Sequence, residues 1–305
     1  MLRHVMEVME LLDDPFANGE RVRKWLEPTG EIEVEVRHVE GETGSTDFVK
    51  ATIRTPNRTG PTLGIIGRLG GIGARSERVG MVSDADGCIV ALACAAKLAQ
   101  MSNRGDVLPG DVIVTTHVCP NAPIIPHEPT PFMGSPVDMD EMNRMEVDET
   151  MAAILSIDTT KGNWVLNQRG FAITPTCKEG YILRISDPLL DIMRSVTGQL
   201  PAVLAITTQD ITPYGTGIYH MNSIMQPAVV TVAPVVGVAL TASIPVPGCA
   251  TGANQIYDLE MTGRFCVEVA KAFTGGGCAF YNQAEYDRLL ELYGSLAHLQ
   301  QKNTK

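Results

Sequence analysis

Two carboxylates, Asp84 and Asp86, stand one residue apart in VSDADGCIVALACAAKLAQ, residues 82–100. The Ala-rich apolar stretch from residue 86 is expected to be a helix, so both acids fall at its mouth. A carboxylate there has two uses. It can hold a divalent metal, or it can accept backbone N–H bonds as an N-cap. The cap accounts for one acid and leaves the other. His117 closes the apolar run IVTTH and Asp158 closes AAILSID. Each is a polar group at the end of a buried strand, the rim where open α/β sheets carry their chemistry. A neutral imidazole or a carboxylate at that rim can ligate metal; a hydrogen-bonded rim residue is the alternative.

Two Pro- and Gly-rich segments follow such strands. Residues 119–136, CPNAPIIPHEPTPFMGSP, hold six prolines and cannot be regular structure. Residues 207–219, TTQDITPYGTGIY, form the second loop. Long loops at strand ends are commonly lids or binding loops. In the first, Glu128 is the candidate general base and His127 a further metal ligand, with an exposed surface pair as the alternative. Asp210 and His220 flank the second loop, Asp210 as a substrate-binding group and His220 as a ligand or, at the start of an expected helix, a cap or packing residue. Cys119, beside His117 in HVCP, is the candidate thiol nucleophile. The glycine loop GRLGGIG, residues 67–73, is neither a dinucleotide fingerprint nor a P-loop. Arg68 and Arg75 on and after it are candidate partners for a substrate carboxylate, or ordinary solvated charges.

These residues need a scaffold. Residues 63–66, 112–116, 152–157, 202–206 and 228–232 are continuous apolar runs, the pattern of strands buried on both faces. Helices are expected over 86–100, 187–196, 258–273 and 284–300. The alternation implies an α/β fold, three-layer, with a mostly parallel central sheet, of the phosphorylase/hydrolase-like kind. Residues 1–60 read as two helices and a β-hairpin, an N-terminal appendage packed on a core of residues 61–305. Asp258 reads as a helix N-cap.

Twenty-four Lys and Arg stand against 35 Asp and Glu, a net charge of −11. With no basic run, a nucleic-acid or anionic-membrane partner is not expected. Seven scattered cysteines without a CxxC pair point to a reducing, cytoplasmic compartment. The N-terminus lacks the pattern of a signal peptide. No uninterrupted apolar run reaches roughly 18 residues, so no spanning helix is expected.

Through VSDADGCIVALACAAKLAQ, GDVIVTTHVCPNAP and HEPTPFMGSPVDM the chain resembles, over nearly its full length, the family known as domain of unknown function 1177. More distantly, its order of elements is similar to the dinuclear metallo-aminopeptidases of the tetrahedral and glutamyl aminopeptidase kind. That resemblance implies an α/β core, two metal ions, commonly zinc or cobalt, and a large homo-oligomer. Asp84 or Asp86 matches the bridging Asp of those enzymes, and Asp158 a ligand Asp. Their Glu pair is missing, because the strand over residues 113–116 leads to His117, Cys119 and Pro120. Their first ligand His falls on Gly67-Arg68-Leu69-Gly70, and their last near residues 242–247, both without His. Residues 66–84 leave no room for their inserted domain. The implied site is therefore rearranged, drawing on His117, His127 and His220. The leading expectation is a metal-dependent hydrolase of amide bonds in a small peptide-like or cyclic amide substrate. Zinc is the first metal expected, with manganese or cobalt next. A non-catalytic ligand-binding or assembly subunit and a Cys119-dependent amidase are the alternatives.

Overall fold

The computed structural model describes residues 1–68, 70–220 and 222–301. After helices α1 (Leu2–Leu12) and α2 (Gly19–Leu26), a hairpin forms from β1 (Glu33–Gly41) and β2 (Gly44–Ile53). The chain continues through β3 (Leu63–Gly67), α3 (Asp86–Asn103), β4 (Val112–Val118), the small hairpin β5 (Ile124–Ile125) and β6 (Phe132–Met133), α4 (Met139–Glu146) and β7 (Ala153–Thr159). It then forms β8 (Gly170–Ile173), β9 (Cys177–Lys178), β10 (Tyr181–Ile182), α5 (Asp187–Thr197), β11 (Val235–Thr241), α6 (Ile256–Thr274) and α7 (Gln283–Tyr293).

Nine strands make one mixed sheet in the order β1-β2-β4-β3-β7-β11-β9-β10, with β8 also on β11. Its centre, β4-β3-β7-β11, is parallel, and these four strands are buried almost throughout. Continuous apolar strands require that, because both faces are covered. The flanks are antiparallel, so the expectation of a mostly parallel sheet holds for the centre alone. The hairpin β1-β2 extends the sheet through β4. Val5, Val8 and Leu12 of α1 join the same core as Leu92 and Phe265. Residues 1–60 thus supply two strands of the sheet and part of its cover.

Two expected strands fall elsewhere. The apolar stretch after residue 227 contains Pro234, which has no N–H to give a ladder. Residues Gln226–Val229 form a 3₁₀ turn and β11 begins after the proline. Residues 202–204 touch the sheet only by a bridge of Val203 to Ile173. The last helix ends at Tyr293, short of residue 300. Helix α4, not expected, starts at an N-cap in which Asp138 accepts the Glu141 N–H at 2.8 Å.

Ser83–Asn103 is long and apolar enough to cross a membrane by length and composition alone, and 78% of its apolar window is buried inside the fold. An all-round apolar helix is what a position under a sheet asks for. Its first turn lies tightly against the strand ends. A Cβ on Gly87 would come within 2.8 Å of the Arg68 and Ile157 carbonyl oxygens. This contact sets the residues ahead of α3 above the ends of β3 and β7.

Candidate functional site

Asp84 sits in the short turn Ser83–Ala85 before α3. The residue at the N-cap is Ala85, and no side chain caps the helix, so the capping alternative for Asp84 does not hold. Its backbone is pinned instead: Ser83 N donates to the Ala250 carbonyl at 2.7 Å and Asp84 N to the Gly248 carbonyl at 3.1 Å. A Cβ at Gly248 would stand 3.1 Å from Met133 N and 3.5 Å from Asp84 Oδ1, so glycine permits the close approach. Asp158, near the end of β7, accepts Thr159 N–H through Oδ1 and Ser223 O–H through Oδ2, both at 2.7 Å.

Asp84 and Asp158 face the same cleft, of about 520 Å³. Both are nearly inaccessible, and Asp84 Oδ2 has no hydrogen-bond partner among the described residues. Burial, then the charges of Asp158 and Asp86, hold the Asp84 carboxyl well above the usual range, against the pull of Lys161. Burial raises Asp158 to about 6, while its bond from Ser223 and the charge of Arg68 pull it down. The floor is a pair of like-charged acids in a dry setting, each penalised for ionising.

Asp86, two residues on, does not join them. It forms a buried ion pair with Lys161 and accepts Asn254 Nδ2–H at 2.7 Å. Burial raises its carboxyl, and Lys161 and Asn254 draw it back. Lys161 also donates to the Ala253 carbonyl at 2.8 Å. Asp86 therefore locks the loops below the site and has no place in a metal set.

His117 is likewise committed. Its Nε2 accepts Gly70 N–H at 2.9 Å, which puts the ring hydrogen on Nδ1, 3.0 Å from Glu146 Oε1. Both nitrogens are used, and no lone pair remains for metal. Glu146 also pairs with Arg68, which is completely buried. Desolvation opposes the Glu146 charge, yet Arg68 and His117 together keep its carboxyl below the usual range. Arg68 is thus a core cation tied to α4, not a substrate anchor. Arg75 donates to the Pro120 carbonyl at 3.2 Å and lies 3.7 Å from Asp13, away from the cleft.

Cys119 is buried, its Sγ 3.5 Å from the Ser45 carbonyl. Burial pushes its thiol up to about 11, the opposite of what a nucleophilic thiolate needs. Glu128 is exposed and lies outside the cleft lining, so it has nothing to deprotonate there. Asp210 closes a capping box with Thr207, accepting its N–H at 2.7 Å. Asp258 lies in the first turn of α6 with Gln255 at the N-cap, 3.4 Å from Arg169.

The cleft does contain His127 and His220, one from each long loop. His127 Nε2 bonds the Tyr219 hydroxyl and packs edge-on against Phe132 at 4.9 Å, joining the two loops across the mouth. His220 stacks on Tyr214 with ring centres 4.3 Å apart. Phe132, Met133, Met139, Met142 and Ile218 supply an apolar wall, and neither Lys nor Arg appears in the described lining. Among the described residues, no three His, Cys, Asp or Glu side chains gather closely enough to hold a metal ion. Of the six expected ligands, the floor keeps Asp84 and Asp158. Ser223, Tyr214 and Lys161 carried no signal in the sequence, because each acquires its role from a contact across more than 60 residues or from a loop's path.

The family described as "Protein of unknown function (DUF1177)" matches residues 37–303. No curated protein matches the chain. Among solved structures, "Bottromycin maturation enzyme BotP in complex with Mn" is 13% identical with a TM-score of 0.54, covering 88% of this chain and 70% of its own. A second structure, "Bottromycin maturation enzyme BotP", is 14% identical with a TM-score of 0.57, covering 90% and 70%. At such identity the likeness establishes the fold. Neither name speaks of the aminopeptidases that the order of elements resembles.

Proposed function

The chain belongs to this family of unknown function, and from its cleft we propose that it is a divalent-cation-dependent hydrolase of amide bonds in a small peptide-like or cyclic amide substrate. One observation carries the reading. Two buried carboxylates, Asp84 and Asp158, face one cleft with no Lys or Arg in its described lining, and one Asp84 oxygen has no partner. Burying unpaired charge is costly, and a cation held by Asp84 and Asp158 would relieve it.

The donor set is oxygen, which suits a hard ion such as manganese or magnesium completed by water. Catalytic zinc ordinarily takes three protein ligands, commonly including His or Cys, and the floor does not gather three. Manganese is also the metal named in one of the BotP structures. When bound, such an ion supplies polarisation of the amide carbonyl and activation of water.

The protein's own groups do the rest. Ser223 and Thr159 N–H fix the direction of Asp158. The apolar wall takes an apolar side chain or ring and excludes water. With no cation in the described lining, a substrate carboxylate has no anchor, so the substrate is held by its amide and its apolar portion. The test is turnover of a dipeptide and lactam panel with added Mn²⁺, using wild type, Asp84→Asn and Asp158→Asn. Hydrolysis by wild type and loss in both variants is expected; undiminished hydrolysis in both variants removes the site from the reaction. That no third ligand gathers among the described residues favours one other reading, a ligand-binding member of the fold without catalysis, whose sign is cation binding with no turnover of any member of the panel.

A further inference from the structure

Glu128 lies outside the cleft, and the proposed reaction still requires a proton acceptor. One side chain of the lining has its proton placed by the fold. His220 Nε2 is 2.7 Å from the Thr212 carbonyl oxygen. A carbonyl only accepts, so Nε2 carries the hydrogen and Nδ1 keeps its lone pair. The same carbonyl accepts from Gln226 Nε2 at 3.0 Å, and Gln226 is fully buried. The imidazole plane is set by Tyr214, stacked at 25°. Nδ1 has no hydrogen-bond partner among the described residues, and the ring lines the cleft that holds Asp84 and Asp158. Three residues further on, Ser223 bonds Asp158, so one segment brings His220 and the acid floor together. His220 does not close a ligand triad with the two acids. An oriented imidazole with one nitrogen satisfied and the other unengaged is the arrangement of a base.

Resting on the hydrolase reading above, we propose that His220 is the catalytic base. Water forms its O–C bond to the amide carbonyl carbon and gives a proton to Nδ1. The imidazolium keeps its Nε2–H on the Thr212 carbonyl. As the C–N bond breaks, Nδ1 returns the proton to the departing nitrogen, so one water and one amide become one acid and one amine. The titratable groups sharing the cleft are Asp84 and Asp158 on the floor and Tyr214, Tyr219 and His127 on the walls, with Arg68 near enough to act on Asp158 and Tyr214.

The experiment compares wild type with His220→Gln, which retains a donor for the Thr212 carbonyl and lacks the basic nitrogen, and with His220→Ala. Mn²⁺ affinity by calorimetry is expected to stay within about twofold of wild type in His220→Gln. On an amide from the panel that wild type cleaves, kcat is expected to fall about 10²–10⁴-fold with KM little changed. Added imidazole is expected to restore turnover to His220→Ala, a response that a packing role would not give. Loss of Mn²⁺ binding in His220→Gln makes His220 a ligand and overturns the proposal, as does wild-type turnover in that variant. Wild type that binds Mn²⁺ and cleaves nothing on the panel overturns the hydrolase reading, and this role with it. Wild type that cleaves the panel without any cation overturns the cation reading, and cation-free turnover in His220→Gln equal to that of wild type then overturns this role as well.

Discussion

Asp84→Asn is predicted to stabilise the cation-free protein while removing its cation site. The Asp84 side chain is buried, one oxygen is unpartnered, and Asp158 is its like-charged neighbour. For Asp158 the rise from 3.8 to about 6 corresponds to about 3 kcal/mol, at about 1.4 kcal/mol per pKa unit. A carboxyl raised in the folded state is favourable for folding below its unfolded pKa, and the advantage is lost as pH climbs through the folded value. The loss therefore develops between about pH 4 and pH 6 and is complete at neutral pH. Asp84 is held up by its own burial and by Asp158 and Asp86, so replacing its carboxyl with an uncharged amide should return on the order of 2 kcal/mol, which in a chain of 305 residues is about 3 °C in Tm. Calorimetric melting in chelator should show the variant about 3 °C above wild type at pH 7.5, with the gap narrowing as pH falls and nearly closed at pH 4. A variant that melts below wild type at pH 7.5 would refute the like-charge pair, and with it the reason for a cation at this floor.

Three further outcomes follow from the same contacts. Lys161→Met leaves the buried Asp86 with Asn254 alone, and denaturant melts should show a loss of about 3–5 kcal/mol; an unchanged midpoint contradicts the pairing. Glu146→Gln removes the shared carboxylate of Arg68 and His117 and should cost about 3 kcal/mol by the same measurement. Cys119→Ala should leave turnover unchanged and cost about 1 kcal/mol, the loss of a small buried group; a large fall in turnover with intact folding would bring the thiol back as a nucleophile.

The sequence exposed the strands β3, β4 and β7, because burial on both faces demands the unbroken apolar runs that stand there. Asp84 and Asp158 stood out because each is an acid beside such a run. The sequence could not separate Asp84 from Asp86. Their fates differ by which way one helical turn points, and by Lys161, whose loop is far away in the chain. His117 looked like a site residue for the same reason as Asp158, a polar group at the end of a buried strand, and Arg68 because it stands on the glycine loop that follows one. Their satisfaction by Glu146 depends on α4, a short, mostly polar helix that was not expected from the sequence. Pro234 shows the limit on the fold side, where one missing N–H moved a strand past the residues with the stronger apolar pattern. His220 was visible only as a loop histidine; the Thr212 carbonyl that fixes its proton is a backbone atom and has no trace in residue types.

Calorimetric titration of the metal-free protein with Mn²⁺ at pH 7, repeated in buffers of different ionisation heat, tests the central claim most directly. The account predicts saturable binding, loss of that binding in both Asp84→Asn and Asp158→Asn, and proton release on binding, because the raised acids of the floor lose their protons to the buffer as the cation takes their place. Absence of binding heat in wild type, or binding that survives both substitutions, would contradict it.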